Sequence, residues 1–181
     1  LLEYEARLPA EERRNLLHNV LEEAGRLNRY IENLLNITKL GMGGLKPAFD
    51  WIEVQDLVNA VVKRYEGLLE ARPFTVDIPP DLPLLYGDFV LLEQVFGNLL
   101  DNALKYTPAG SPLQMQVMVE ENSLCFILQD EGPGIPKAQL AKMFDLFTRF
   151  EAGDCKVSGS GLGLSIAKGI AEAHGGRITV F

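Results

Sequence analysis

Between Glu11 and Leu40 the apolar residues return at heptad spacing, with Leu17, Ala24, Ile31 and Thr38 in one row and Val20, Leu27 and Leu34 in the other. This spacing predicts a long helix whose seam it cannot bury alone. Pro9, Glu11 and Glu12 suit its start, because proline is tolerated in a first turn and carboxylates favour the positive end of the helix dipole. Gly41, Gly43 and Gly44 suit its end. Leu21 and Leu35 widen the stripe beyond a two-stranded seam, so a bundle of several helices is the better expectation. Residues 1–8 do not share the pattern and read as the tail of a preceding element.

The chain has 181 residues and is 47% apolar, enough for one medium domain with an added arm. Seventeen basic against 25 acidic residues give a formal charge of -8 without a long basic run, which argues against nucleic acid or an anionic membrane surface as main partner. A phosphate-bearing ligand would need local help. No apolar stretch approaches the roughly 18 to 20 residues of a membrane span and no charged-then-apolar leader opens the sequence, so this piece is expected to be soluble. Cys125 lies in an apolar run and Cys155 in a polar loop, which reads as a packed thiol and a loop thiol, not a disulfide or metal pair.

After the glycines the elements become mixed. A short strand is expected at Trp51 to Val54, a helix at Leu57 to Ala71, a strand at Phe74 to Ile78 ending at Pro79 and Pro80, and a strongly periodic helix at Val90 to Tyr106. Leu113 to Glu120 and Ser123 to Gln129 read as a hairpin turning at Glu121 and Asn122. A short helix at Lys137 to Phe144, a glycine-bearing loop at Glu151 to Ser160, a helix at Leu162 to Ala173 and a final strand from Arg177 complete the series. Strict βαβ alternation is missing, so the expected class is α+β, with a helix layer on a mixed sheet.

Three features carry chemistry. On the helix at Val90 to Tyr106, Asn98, Asn102 and Lys105 share a side opposite Leu92, Val95, Phe96, Leu99 and Ala103. Two amides and an ammonium in one row suit magnesium and phosphates, although a solvated helix face alone would look similar. Asp130-Glu131-Gly132-Pro133-Gly134 follows a strand; the carboxylate could accept the amine of adenine, or the segment could be a plain tight turn. Ser158-Gly159-Ser160-Gly161-Leu162-Gly163 opens a helix and offers backbone amides to an anion. It is not a Walker loop, because no Gly-Lys-Ser/Thr follows, and no parallel strand leads into it as a dinucleotide fold requires.

In their order along residues 88–176, the paired asparagines, the Asp-x-Gly-x-Gly turn, the aromatic-spaced Phe144 to Phe150 and the glycine loop resemble the N, G1, F and G2 boxes of two-component sensor histidine kinases. Their ATP-binding domain is of the GHKL type, shared with gyrase and related chaperones. Asp50-Trp51, the run from Pro79 to Leu84 and the run from Thr107 to Pro112 are more narrowly similar to the potassium-responsive Kdp-type sensor kinases. The resemblance implies a partial dimerisation region at 1–44, holding the second of its helices, and an ATP-binding domain at 45–181 whose closing strands are cut short. It further implies ATP and Mg2+ as ligands, with Asn98 on the metal and Asn102 on phosphate or ribose. Lys105 and Tyr106 would approach the nucleotide, Asp130 would hold adenine, and Arg149 would reach in from the lid. Gly132, Gly134, Gly159, Ser160, Gly161, Leu162 and Gly163 would supply close backbone approach. A response regulator, a homodimer through the 11–40 helix, no nucleic acid, and a cytoplasmic position in a membrane-anchored parent follow from the same resemblance.

Two departures sharpen the expectation. Hydrolytic relatives carry a water-activating glutamate where this chain has Asn98, which favours phosphoryl transfer over an ATPase of the gyrase sort. Neither His18 nor His174 has the His-Asp/Glu-x-Arg/Lys-x-Pro context of a kinase acceptor. His18 reads as a helix-surface residue and His174 as a cation-friendly residue at a helix C-terminus, so the acceptor is expected outside this sequence. A nucleotide-sensing module without transfer is the non-enzymatic alternative.

Overall fold

The computed structural model describes residues 9–41, 45–148 and 161–181. The heptad stretch forms one helix, α1 (Ala10–Gly41), within a residue of the expected limits at each end. A ribbon strand β1 (Asp50–Ile52) leads into α2 (Val54–Leu69), β2 (Phe74–Asp77) and β3 (Leu85–Gly87). Then come α3 (Phe89–Tyr106), the hairpin β4 (Leu113–Glu120) and β5 (Ser123–Asp130), the short α4 (Lys137–Leu140), and α5 (Gly163–Ala173).

The sheet is mixed, as expected. β4 sits between β2, parallel to it, and β5, antiparallel, with Phe74 opposite Leu113 and Leu113 opposite Asp130. Glu121 turns the hairpin at φ 51°, a left-handed value that a two-residue connection demands. β1 and β3 pair as a separate antiparallel ribbon, Trp51 facing Tyr86.

Alternation along β4 buries Leu113, Met115 and Val117, and α2 and α3 cover that face. Leu57, Val61 and Tyr65 of α2 meet Leu92, Phe96 and Leu100 of α3 in the main core. The other flank of α3 presents Val95 to Leu162, Ile166, Ala167 and Ile170 around α5. Burial of each large aliphatic side chain stabilises the fold by about 1.5–3 kcal/mol. α3 is thereby held on two adjoining flanks, with the Asn98 row at the edge of the one that meets α5.

Three expectations are corrected. No strand forms after Arg177 among the described residues. The helix expected to reach Phe144 stops at Leu140, because the next amides bond three residues back (Lys142 to Gln139, Met143 to Leu140, Asp145 to Lys142) in tight turns. β3 was not expected at all; three residues carry too little pattern, and pairing with β1 makes the strand.

Along α1, Leu17, Val20, Leu21, Leu27, Ile31 and Leu35 stay half or more exposed. The seam is therefore unburied within one chain, although α1 touches α5 and the Asn33 Oδ1 accepts a bond from Gln94 Nε2 at 3.4 Å. The side chain of Leu34 lies outside the described set. No helix among the described residues is long and apolar enough to cross a membrane.

Candidate functional site

α3 begins at an N-cap, Asp88, whose Oδ1 accepts the Leu91 amide at 3.1 Å, and ends where the Thr107 amide reaches the Ala103 carbonyl. The helix thus presents Asn98 and Asn102 one turn apart, both half-buried, with Lys105 a further turn on. The Nδ2 of Asn98 is buried and has no hydrogen-bond partner among the described residues. An unpaired buried donor costs about 1–3 kcal/mol, a cost typical of a group built to meet a ligand.

Facing Asn98 is the start of α5. A methyl built on Gly163 would stand 3.6 Å from Asn98 Oδ1, so the amide row and the glycine loop, 65 residues apart, are neighbours. The first amides of α5 are not used within the helix and carry the positive end of its dipole. Gly161 has φ 70°, and a methyl there would fall 2.9 Å from the backbone of Phe147 and Thr148. Only glycine lets that crossing happen. Phe147 itself has φ 61°, an outlier for a bulky side chain, and is exposed. Leu162 is different in kind: its side chain is in the α5 core, so only its backbone is available to a ligand.

At the far end of α3, Asp130 closes β5 with its carboxylate exposed. Its Oδ1 accepts the Gly132 amide at 2.7 Å. A methyl on Gly132 would stand 2.7 Å from that oxygen and 3.5 Å from both Thr107 Oγ1 and the Tyr106 carbonyl. The Asp-x-Gly turn and the end of α3 therefore form one corner. Gly134 has φ 70° with open space around it, so it serves the turn's backbone and not a close approach. Thr107 was not expected: it is buried and its hydroxyl has no partner among the described residues. Its place directly after Tyr106, at the helix end, was the available signal. Lys105 Nζ lies 5.3 Å from the Tyr106 ring centroid, holding both near this edge. Asn98 and Thr107, about 13 Å apart along the helix axis, bracket an elongated site. Arg149, Gly159 and Ser160 lie outside the described residues.

Among the described residues no three His, Cys, Asp or Glu side chains converge as a metal cage. Magnesium bound through phosphates and one or two protein oxygens needs none, and the Asn98 carboxamide is a suitable hard donor. Cys125, on β5, is outside the site; burial and then the Glu120 carboxylate push its thiol up, with Arg177 pulling the other way.

His174 caps α5 as expected but not as a cation. Its Nε2 accepts the Asp88 amide at 3.0 Å, so the proton belongs on Nδ1, which lies 2.8 Å from the Ile170 carbonyl and donates to it. His18 lies on the exposed surface of α1.

A helical row of amides against a glycine-opened helix, beside a mixed sheet ending in Asp-x-Gly, defines a class. The chain belongs to the family of histidine kinase-, DNA gyrase B- and HSP90-like ATPases, whose model matches residues 87–181. Within it the chain corresponds to the ATP-binding catalytic domain of two-component sensor histidine kinases. It is similar to the sensor protein KdpD of Clostridium acetobutylicum, 36% identical over 98% of this chain and 20% of that protein. Sensor histidine kinase WalK of Bacillus subtilis is 36% identical over 86% of this chain and 26% of its own length. Full-length ShkA, solved in complex with AMPPNP, shares the fold at a TM-score of 0.74 and 21% identity, covering 95% of this chain and 36% of ShkA. The chain thus spans about a fifth to a quarter of these curated relatives.

Proposed function

We propose that this chain binds Mg-ATP along the Asn98 row of α3 and serves transfer of the γ-phosphoryl group to a histidine on a segment outside this sequence, and thence to a response-regulator aspartate. The observation that carries the reading is the unpaired amide of Asn98 set against Gly163 at the start of α5. Residues 1–44 belong on this reading to a dimerisation region and 45–181 to the ATP-binding domain, with α1 in a homodimer through 11–40. The parent protein is anchored in a membrane with this part on the cytoplasmic side.

Asp130 receives the adenine amine through its second carboxylate oxygen, the first being held by Gly132. Lys105 and Tyr106 line the nucleotide edge, Asn102 bonds phosphate or ribose, and Asn98 turns its oxygen to the metal. The Asn98 carboxamide oxygen would hold magnesium, and the ion would supply neutralisation of phosphate charge. The backbone amides from Gly161 to Gly163 at the head of α5, Leu162 contributing by backbone alone, cradle the phosphate end, with Gly159, Ser160 and Arg149 as further ligands to it. The acceptor nitrogen bonds phosphorus as the bond to ADP breaks, so positioning in line supplies most of the rate. Asn98 cannot serve as a base toward water, which disfavours hydrolysis.

The test is incubation with γ-labelled ATP, with and without an added domain bearing the acceptor helix. Acid-labile label on the added helix supports the reading. Label on this chain alone that vanishes with His18→Ala, or steady phosphate release without transfer, overturns it.

A further inference from the structure

Three segments meet at the residue before α3. Asp88 Oδ1 caps the Leu91 amide at 3.1 Å, its Oδ2 accepts the Ala48 amide at 2.8 Å, and its own amide donates to His174 Nε2 at 3.0 Å. His174 passes the chain of bonds on to the Ile170 carbonyl at 2.8 Å, inside α5. Gly87 makes room for this: a methyl there would fall 2.7 Å from Leu92 Cδ1 and 3.2 Å from His174 Cδ2. The Phe49 ring lies 5.2 Å from the imidazole, so the stretch from residue 45 to 49 that follows α1 is held at the same point.

The placement matters because α3 and α5 run antiparallel. Asp88 meets His174 at one end, and ten residues along α3 Asn98 meets Gly163, eleven residues back along α5. At about 1.5 Å per residue these are spans of roughly 15 and 16 Å on two packed helices. A bond at the first point therefore sets the axial register of α5 on α3 at the second. A shift of about 1 Å in such an arrangement can change rates by about a hundredfold.

We infer that Asp88 is a positioning residue: with His174 as relay it fixes the α5 amides against Asn98 and ties that register to the segment joining α1 to the domain. Resting on the nucleotide reading above, the inference adds that nucleotide binding and the Ala48 contact strengthen each other. Coupling between sites is reciprocal in binding free energy and typically amounts to roughly 5–150-fold.

The experiment uses the full chain, a non-hydrolysable ATP analogue with magnesium, amide hydrogen exchange at Ala48, and imidazole nitrogen spectra of His174. In the wild-type chain the analogue should slow Ala48 exchange about tenfold, with His174 protonated on Nδ1. Asp88→Asn keeps an acceptor for Leu91 but sets an amide N–H₂ against Ala48, so the slowing disappears and affinity falls by the same factor. Ala48→Pro removes the linker donor, and with it the amide whose exchange is read, while leaving Asp88 and both helices intact, and should reproduce the loss of affinity if Asp88→Asn fails to fold. An analogue that binds the wild-type chain without changing Ala48 exchange overturns the inference, as does a proton on His174 Nε2. A wild-type chain that binds no analogue, with its unliganded His174 spectrum as described, overturns the nucleotide reading instead.

Discussion

Replacing Asn98 by leucine should make the ligand-free protein more stable and its response to ligand smaller. The side-chain Nδ2 is buried without a partner among the described residues, while the residue as a whole is only half-buried. An orphaned donor costs about 1–3 kcal/mol, and partial access to water argues for the lower end, about 1 kcal/mol. Leucine, of the same branched outline though larger, removes that cost and adds contact with the neighbouring apolar flank. For a chain of this size 1 kcal/mol corresponds to about 2–4 °C in melting temperature. The wild-type chain at a hundredfold excess of Mg-ATP over Kd gains about 2.7 kcal/mol, and Asn98→Leu should lose most of that. Thermal unfolding of both proteins, with and without Mg-ATP, measures the two effects in one experiment. A variant that melts lower than wild type yet keeps the full ligand shift would refute the reasoning, since the amide would then be structural and not held for a ligand.

Asp130→Asn should weaken adenine nucleotides by about 1.5–3 kcal/mol and leave guanine nucleotides nearly unchanged; equal losses in titration calorimetry would remove adenine from that corner. In a Cys155→Ser background, alkylation of Cys125 should reach half its limiting rate at higher pH than for a free thiol, because burial and Glu120 disfavour the thiolate. The same shift means the thiol's contribution to stability is present below the unfolded-state pKa and is lost as pH rises through the folded one; an alkylation midpoint at or below that of free cysteine sinks this. The bare stripe on α1 should drive self-association, and Leu27→Lys with Ile31→Lys should return the chain to monomer in sedimentation velocity. A wild-type chain that is monomeric at high concentration would count against a homodimer through α1.

How much was legible depended on whether the signal was local. α3 was expected from Val90 and begins at Phe89, because an 18-residue amphipathic period with a capping Asp is written entirely in neighbouring residues. The hairpin was equally local. β3 depends on β1 across 35 positions, and its three residues carry no period of their own. The α5 reading shows the same division. Its glycines announce an anion-binding start, but that Leu162 turns its side chain into the core, and that Gly163 lies against Asn98, are facts of packing. His174 was misread for the same reason: a helix C-terminus suggests a cation, and the amide that makes it an acceptor comes from 86 residues away. Asp88 did carry a local sign, an acidic residue at the head of a strong helix, and its other two bonds did not.

The crowding at Gly87 makes the order of substitutions matter over evolutionary time. A methyl at position 87 must push Leu92 Cδ1 aside and move the imidazole by a few tenths of an ångström, so alanine there is unfavourable at first. If His174 is lost earlier, to a small residue, part of that space opens and alanine at 87 becomes more acceptable. Positions 87, 92 and 174 should therefore change as a set, with Leu92 the nearer obstacle to a side chain at 87.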